Sequence, residues 1–475
     1  MMRSIGLYTG ARIINGISAI VLLSILTNML SAEAYGVYSL LLTFSISLST
    51  ISYGWISVSI LRFNNPQSNH RAALRIEALR LNFFVCLLVV FLSPVLFYAA
   101  LPNMMSLSVA ITMVALTMLA GLINLHLNLA ISSGKPVKYL AISSGRSVAT
   151  LGMVWVAFLA GYHEIGALVA VAISYFMAAL LGIYILYQPN TGRDPEARRR
   201  IIRYGLPLSV SIAAIIVLDF SDRYMLSIFA DLREVGLYSS AYNLSQQTTG
   251  ALLGIVFVTI FPKISGAYEK EQAGQVRRYA GMLLVLLSGL GGGILTGFTW
   301  YSGDLSAFVL GQDIAAGARQ LLPLISLAIF LGALKSSVFD VPAKLAQNTG
   351  YLLTVSLVMA AFNIALNFIL IPDLGAFGAA CATLLSFAAG MLISMIRYHR
   401  FWQIAGVALG ISKLLVSLAL MNGFIFAIDS LFSIPWMLNA FLAYSFYAGI
   451  LFLLNPIAFV KGRSGPDLST GFMPR

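Results

Sequence analysis

The sequence predicts an all-α polytopic membrane protein with about 14 transmembrane helices, arranged as two six-helix bundles in parallel pseudo-repeat plus two C-terminal helices. Three observations lead to this fold class. The 475 residues are 59% hydrophobic and only 10% charged, whereas soluble globular proteins carry roughly 25% charged residues. About 14 apolar stretches reach the length of about 20 residues that a helix needs to cross a bilayer. Short motifs from the first half recur about 200 residues later.

The apolar stretches are separated by short segments rich in charged or turn-forming residues. In chain order they cover residues 6–30, 35–61, 81–101, 106–132, 137–160, 165–187, 205–229, 236–261, 279–301, 316–337, 350–371, 376–396, 408–428 and 434–455. The first stretch is not followed by a small-residue cleavage site, so we expect an uncleaved first helix. The connections between the stretches are too short to hold a separate soluble domain.

Basic residues alternate strongly between successive loops. Nearly all of them fall in one set of loops, at Arg62, Arg71, Arg75, Arg80, Lys135, Lys138, Arg193, Arg198, Arg199, Arg200, Arg203, Lys263, Lys270, Arg277, Arg278, Lys335, Lys344, Arg397, Arg400 and Lys413. The intervening loops contain Arg233 and Arg319. The positive-inside rule places the first set in the cytoplasm, and both termini are then cytoplasmic as well. The net charge of +12 therefore indicates topology rather than nucleic-acid binding.

An internal repeat divides the chain. Residues 33–39 (EAYGVYS) correspond to residues 233–239 (REVGLYS), and residues 166–176 correspond to residues 378–388. Because each half contains six spans, an even number, the halves have the same orientation in the membrane. We therefore divide the chain into a first six-helix bundle at 1–188, a basic cytoplasmic linker at 189–204, a second six-helix bundle at 205–400, and two C-terminal helices with a short cytoplasmic tail at 401–475. The basic residues of the linker either stop translocation and so fix the orientation of the neighbouring helices, or bind anionic lipid headgroups.

Two arginines lie inside predicted spans, where a charge is costly. Arg12 is about six residues into the first span, about 9 Å deep at 1.5 Å per residue; it either snorkels to the cytoplasmic interface or lines a cavity. Arg146 is about ten residues into the fifth span, about 15 Å deep, and the small side chains of Ser143 and Ser147 leave space around it. Arg146 either lines a cavity or has a structural role in helix packing.

The seventh span contains Asp219, Asp222 and Arg223. Asp219 and Arg223 are four positions apart with the acid first, an arrangement that favours an intrahelical structural pair. Asp222 is then a carboxylate that could carry a proton, and both acids are candidates for coupling to H⁺ or Na⁺. Lys335 and Asp340, at the end of the tenth span, lie either in a cytoplasmic loop or in the membrane.

The sequence lacks the motifs of common catalytic sites. It contains no P-loop motif for nucleotide hydrolysis. Its histidines and cysteines are scattered without metal-ligand spacing, at His70, Cys86, His126, His163, Cys381 and His399. No outer loop is long enough to hold an active site. We therefore expect no enzymatic activity, no metal site and no cofactor.

Three segments carry a resemblance to a known family. They are AEAYGVYSLLLTFS at residues 32–45, the segment 204–246 with its D-R-Y-x-L and V-G-x-Y-S-x-A-Y motifs, and LNFILIPDLGAFGAACATLLS at residues 366–386. With these segments and its 14-span layout, the chain resembles the bacterial polysaccharide-repeat (O-antigen and exopolysaccharide) flippases. These belong to the multidrug, oligosaccharidyl-lipid and polysaccharide exporter superfamily.

The resemblance implies a substrate and a mechanism. The substrate would be an oligosaccharide repeat on a polyprenyl diphosphate such as undecaprenyl diphosphate, carried from the inner to the outer leaflet of the bacterial cytoplasmic (inner) membrane for surface or exopolysaccharide synthesis. Transport would proceed by alternating access around a central cationic cavity. By the same resemblance Arg12, Arg146 and Lys335 would bind the diphosphate, and the polymerase and chain-length proteins of the pathway would be partners.

The alternative is an ion-coupled drug or cation antiporter of the same superfamily. Such a protein should have an acidic cavity, whereas the isolated charges deep in these spans are mostly arginines. A membrane polymerase or glycosyltransferase is disfavoured because the predicted outer loops are short.

Overall fold

The structure is a computed structural model that describes residues 2–64, 71–186 and 194–460. Some side chains within its helices, including that of Asp219, are outside the description. The described ranges contain helices and their connections but no strand, which confirms the predicted all-α class. The chain divides into two compact units, Met1–Ser239 and Ser240–Arg475.

The helices are numbered here in chain order. The first unit contains α1 Met2–Met29, α2 Ala32–Phe63, α3 Arg71–Ala100, α4 Leu107–Ser132, α5 Pro136–Leu159, α6 Glu164–Leu186, α7 Pro195–Phe229 and the start of α8 Leu232–Ser245. The second unit contains α9 Ala251–Glu269, α10 Ala273–Val309, α11 Gln312–Leu334, α12 Val341–Leu345, α13 Thr349–Arg397, α14 Val407–Leu431 and α15 Trp436–Leu454. Two π-helical segments, Gln246–Gly250 and Lys335–Phe339, join α8 to α9 and α11 to α12.

Polar side chains determine where several helices begin. The hydroxyl of Ser31 accepts a hydrogen bond from the backbone N–H of Ala34 at the start of α2. The carboxylate of Asp194 accepts from two N–H groups at the start of α7, and Pro195 occupies the first helical position. Such caps satisfy backbone donors that the first helical turn leaves unpaired. As a result α7 begins ten residues before the predicted span at 205–229 and includes the end of the basic linker.

In the described part of the chain, 12 helices are long and apolar enough to cross a membrane. One of them, α13, has 49 residues, so at 1.5 Å per residue it is more than twice as long as a hydrocarbon core of about 30 Å. It breaks at Gly375, whose φ of 54° and ψ of −133° suit only glycine. The break lies between the predicted spans 350–371 and 376–396. The 12 do not include α7, so the count of about 14 stays a prediction.

The first unit is organised around α2, which packs against both α4 and α7. One buried cluster joins these three helices and includes Ile56 and Ile60 of α2, Leu125 of α4 and Ile201 of α7. The hydroxyl of Ser59 donates to the backbone carbonyl of Ile201, at 3.2 Å. The burial of these branched side chains removes apolar surface from the surrounding lipid and water and fixes the position of α7 against α2.

The two copies of the repeated motif meet within the first unit. A Cβ at Gly36 of α2 would lie 1.9 Å from the carbonyl oxygen of Leu232, and a Cβ at Gly236 of α8 would lie 1.9 Å from that of Ala32. The contact is reciprocal, because residues 32 and 36 correspond to residues 232 and 236 of the repeat. Glycine at both positions lets the backbones of α2 and α8 approach closely, as small residues do in membrane helix pairs.

In the second unit, the last two helices pack on α10. Tyr444 and Tyr447 of α15 donate hydrogen bonds to the carbonyl oxygens of Gly293 and Gly289, at 3.1 and 2.9 Å. The indole N–H of Trp300 donates to the side chain of Asn422 in α14, at 2.7 Å. The glycines leave room on α10 for the tyrosine rings. The C-terminal helices are therefore an integral part of the second unit.

Candidate functional site

A polar cluster surrounds Arg146 in the first unit. The side-chain amide of Asn15 in α1 donates to the hydroxyl of Ser143 at 2.6 Å, and the hydroxyl of Ser147 donates back to the amide oxygen at 2.9 Å. One turn further along α5, the hydroxyls of Thr150 and Ser174 are 2.7 Å apart and buried. These contacts connect α5 to α1 and to α6 and hold the backbone on both sides of Arg146.

The guanidinium of Arg146 lies on the face of an aromatic ring. Its Cζ atom is 4.7 Å from the ring centroid of Tyr175 in α6. Arg146 is the eleventh residue of the 24-residue helix α5 and is half-buried. Its Nε atom is fully buried and has no hydrogen-bond partner among the described residues. A buried charged donor without an acceptor costs free energy, so the site is suited to receive an anionic oxygen.

A second donor without a partner belongs to α2. Tyr38 is buried, and its hydroxyl finds no hydrogen-bond partner within residues 2–64, 71–186 and 194–460. Tyr38 lies near Tyr175 of α6, which packs on α2. The site therefore brings together side chains from α1, α2, α5 and α6. Of these, the sequence predicted only Arg146.

Arg12 is exposed on α1, three residues before Asn15. Residues three apart lie on the same side of a helix, so Arg12 is adjacent to the cluster. Arg12 makes no hydrogen bond or ion pair with the part of the chain that the structure describes.

Lys335 occupies a different environment in the second unit. Its ammonium group is buried and lies 2.9 Å from the carboxylate of Asp340, whose other oxygen accepts a hydrogen bond from Ser394 at 2.8 Å. The two residues are therefore buried inside the helical unit, where Lys335 begins the π-helical segment and Asp340 follows it at a turn. Nearby Lys344 of α12 donates to the carbonyl oxygen of Ser336. Burial lowers the pKa of Lys344, and the charge of Asp340 opposes this shift.

The charged residues of α7 contact the repeated motif of α8. The hydroxyl of Tyr238 donates to the carboxylate of Asp222 at 2.6 Å, and the guanidinium Nε of Arg223 donates to the hydroxyl of Ser239 at 3.0 Å. Asp222 and Arg223 are both buried. The predicted pair between Asp219 and Arg223, and the role of Asp219 in ion coupling, fall outside the described residues.

The first 268 residues of the chain match the family described as "Polysaccharide biosynthesis protein". The chain belongs to this family. The match contains the whole cluster around Arg146 and the motif segments at residues 32–45 and 204–246, and it confirms the family resemblance. A curated relative, the "Probable low-salt glycan biosynthesis flippase Agl15" of Haloferax volcanii, is 25% identical over 252 residues, which make up 50% of this chain and 51% of the relative. The aligned region is thus about half of each protein.

Solved membrane transporters share the fold. The lipid II flippase MurJ, in an inward closed conformation, aligns with a TM-score of 0.74 and 13% identity over 97% of this chain and 99% of that one. An inward-facing multidrug resistance MATE transporter of the MOP superfamily aligns with a TM-score of 0.59 and 13% identity over 84% and 95% of the two chains. Together with the apolar helices, these likenesses show a multi-pass helical membrane protein of this fold.

Proposed function

We propose that this protein is a flippase, not an enzyme, that moves polyprenyl-diphosphate-linked oligosaccharide repeats from the inner to the outer leaflet of the bacterial cytoplasmic membrane. The family match, the glycan biosynthesis relative and the fold shared with a lipid II flippase support this proposal. The observation that carries it is the buried Nε of Arg146, which lacks a partner in the described ranges. The repeats would supply surface or exopolysaccharide synthesis. The polymerase and chain-length proteins of the pathway would be partners, and both termini of this protein would be cytoplasmic.

Arg146 suits a diphosphate better than it suits a cationic drug. A single charge at the centre of a bilayer already costs several kcal/mol, and a diphosphate carries about two charges. A guanidinium offers a planar fork of donors that matches phosphate oxygens. The Cζ atom of Arg146 lies over the ring of Tyr175, a contact that uses none of the guanidinium's hydrogen-bond donors. The site therefore offsets negative charge in the membrane interior.

Arg12 and Lys335, the other two candidate diphosphate-binding residues, differ in whether binding would break an existing contact. Arg12 is exposed beside the Arg146 cluster and could contact the same diphosphate without losing a partner. Lys335 is paired with Asp340, so it would bind a phosphate only by exchanging that carboxylate. We therefore rank Arg146 first, Arg12 second and Lys335 third as candidate diphosphate ligands.

The membrane potential supplies a driving force in this direction. The cell interior is negative, so moving about two negative charges outward is favourable by roughly 4–5 kcal/mol per 100 mV. An inward-moving H⁺ or Na⁺ could return the empty carrier, and the proposed coupling sites are Asp222 and Asp219. Asp222→Asn and Asp219→Asn variants should each reduce the pH or Na⁺ dependence of transport. Unchanged dependence in both variants would exclude this coupling.

Mass spectrometry of the lipid-linked sugar pool in cells depleted of this protein tests the proposed function. Depletion should cause a complete polyprenyl-diphosphate oligosaccharide to accumulate, and re-expression of the wild type should remove it. Arg146→Ala should fail to remove it, whereas the exposed Arg203→Ala should behave as the wild type. An unchanged pool with normal surface polysaccharide would contradict the flippase proposal. Altered drug resistance in the same cells would then favour the antiporter.

A further inference from the structure

Tyr38, Arg146 and Tyr175 form one cluster that presents two unused hydrogen-bond donors. The Cζ atom of Arg146 lies over the ring of Tyr175. Helix α6, which carries Tyr175, packs on α2, and Tyr175 lies near Tyr38. The ring of Tyr38 stacks on Tyr35, with 6.1 Å between their centroids. This contact leaves the hydroxyl of Tyr38 buried and without a hydrogen-bond partner in the described part of the chain.

The second copy of the internal repeat shows which acceptor the counterpart of Tyr38 uses. Tyr238 is the residue that corresponds to Tyr38, and its hydroxyl donates to the carboxylate of Asp222 in α7, the helix before α8. The helix before α2 is α1, and residues 2–29 of the sequence contain no Asp or Glu. In the second copy, Tyr238 thus has an anionic acceptor on the preceding helix. In the first copy, the helix that precedes Tyr38 supplies no carboxylate.

We propose that Tyr38 and Tyr175 complete the phosphate site of Arg146. The hydroxyl of Tyr38 donates to a phosphate oxygen of the ligand, which takes the place that the carboxylate oxygen of Asp222 has in the other copy. The ring of Tyr175 is a positioning residue that holds the guanidinium with its donor edge toward the ligand. The guanidinium is positively charged and cannot accept a hydrogen bond, so the site selects an anion over a cation. This inference rests on the proposed function for the identity of the ligand.

Binding of geranylgeranyl diphosphate and of uncharged geranylgeraniol to the purified full-length protein in lipid nanodiscs tests this site. The wild type should bind the diphosphate at least ten-fold more tightly than the alcohol. Tyr38→Phe removes one hydrogen bond to a charged group and should weaken diphosphate binding about ten- to 100-fold, without affecting the alcohol. Tyr184→Phe, at an exposed tyrosine of α6, is the matched control and should bind as the wild type.

A double-mutant cycle tests the positioning role of Tyr175. Tyr175→Ala should weaken diphosphate binding about five-fold, and Tyr175→Phe, which keeps the ring, should bind more tightly than Tyr175→Ala. In an Arg146→Ala background, Tyr175→Ala should have less than a two-fold further effect, because no guanidinium remains to be positioned. A purely structural role of Tyr175 would produce the same loss in both backgrounds.

The outcomes separate this inference from the proposed function. If the wild type binds the diphosphate selectively while Tyr38→Phe and Tyr175→Ala match it, the inference is wrong and the proposed function stands. If the wild type does not distinguish the diphosphate from the alcohol, the proposed function fails. Thermal unfolding of each variant identifies any folding defect. Should Tyr38→Phe not fold, the cycle between Arg146 and Tyr175 decides the proposal.

Discussion

A methyl group added at Gly36 should force α2 away from α8. Its Cβ would lie 1.9 Å from the carbonyl oxygen of Leu232, whereas ordinary van der Waals contact begins at 3.4 Å. The two backbones must therefore separate by about 1.5 Å, because a backbone carbonyl cannot rotate aside like the end of a flexible side chain. Overpacking costs about 1–3 kcal/mol and occasionally more. We expect Gly36→Ala and Gly236→Ala to lie at the upper end of this range, since each clash is with backbone.

Thermal unfolding of the purified protein, followed by tryptophan fluorescence at one scan rate, measures this cost. At about 2–4 °C per kcal/mol for a unit of this size, either substitution should lower the apparent Tm by roughly 4–10 °C. Gly145→Ala and Gly152→Ala on α5 are the controls, because a Cβ there meets nothing within 4 Å. Alanine is favoured over glycine in a helix by about 0.5–1 kcal/mol, so the controls should not lose stability. An unchanged Tm for Gly36→Ala would refute the close crossing of α2 and α8.

Two further substitutions test the second unit. Lys335→Met should destabilise the protein by about 3–5 kcal/mol because it leaves the buried carboxylate of Asp340 unpaired. Adding Asp340→Leu should recover most of this loss. Equal stability of the single and double variants in thermal unfolding would show that the pair has no such role. Tyr447→Phe should lower stability by about 0.5–1.5 kcal/mol through loss of its hydrogen bond to Gly289, measured against the exposed Tyr184→Phe as control. A Tm for Tyr447→Phe equal to that of the control would contradict this packing of α15 on α10.

Local hydropathy was sufficient to predict the helices but not all of their limits. The apolar stretches correspond to helices because a chain in lipid must satisfy its backbone groups internally. Two features depended on other information. The early start of α7 depends on the cap by Asp194, and the docking of α15 on α10 depends on tyrosine–glycine contacts that join residues more than 150 positions apart. Hydropathy averages over a window and contains neither kind of contact.

The sequence identified one residue of the candidate site and missed the others. Arg146 was recognisable because a charge within an apolar span is rare. Asn15, Tyr38 and Tyr175 were not, since amides and tyrosines occur in many of the spans and most of them have ordinary packing roles. The distinguishing property of Tyr38 is an unused donor, which depends on every neighbouring helix. The correspondence of Tyr38 with Tyr238 was visible in the repeat, but the contact of Tyr238 with Asp222 was not.

From the sequence, Lys335 and Asp340 lie either in a cytoplasmic loop or in the membrane, and their spacing of five positions does not favour side-chain pairing in an α-helix. The structure pairs them through a π-helical segment, in which the backbone N–H of Asp340 donates to the carbonyl oxygen of Lys335 at 2.9 Å. This wider turn brings residues five apart onto the same side of the helix. In a regular α-helix with 3.6 residues per turn, residues five apart lie on different faces, so the sequence pattern does not indicate such a pair.

The half-buried Arg146 of the first unit and the buried Lys335 of the second unit are used in opposite ways, and this contrast bears on the function. In the second unit, Lys335 has a carboxylate partner within its own helical segment. In the first unit, Arg146 has an aromatic ring but no acceptor for its Nε in the described residues. If Arg146 served stability alone, an acid on a neighbouring helix would lower the cost of its burial. A site that gives up this stabilisation is suited to a transient anionic ligand.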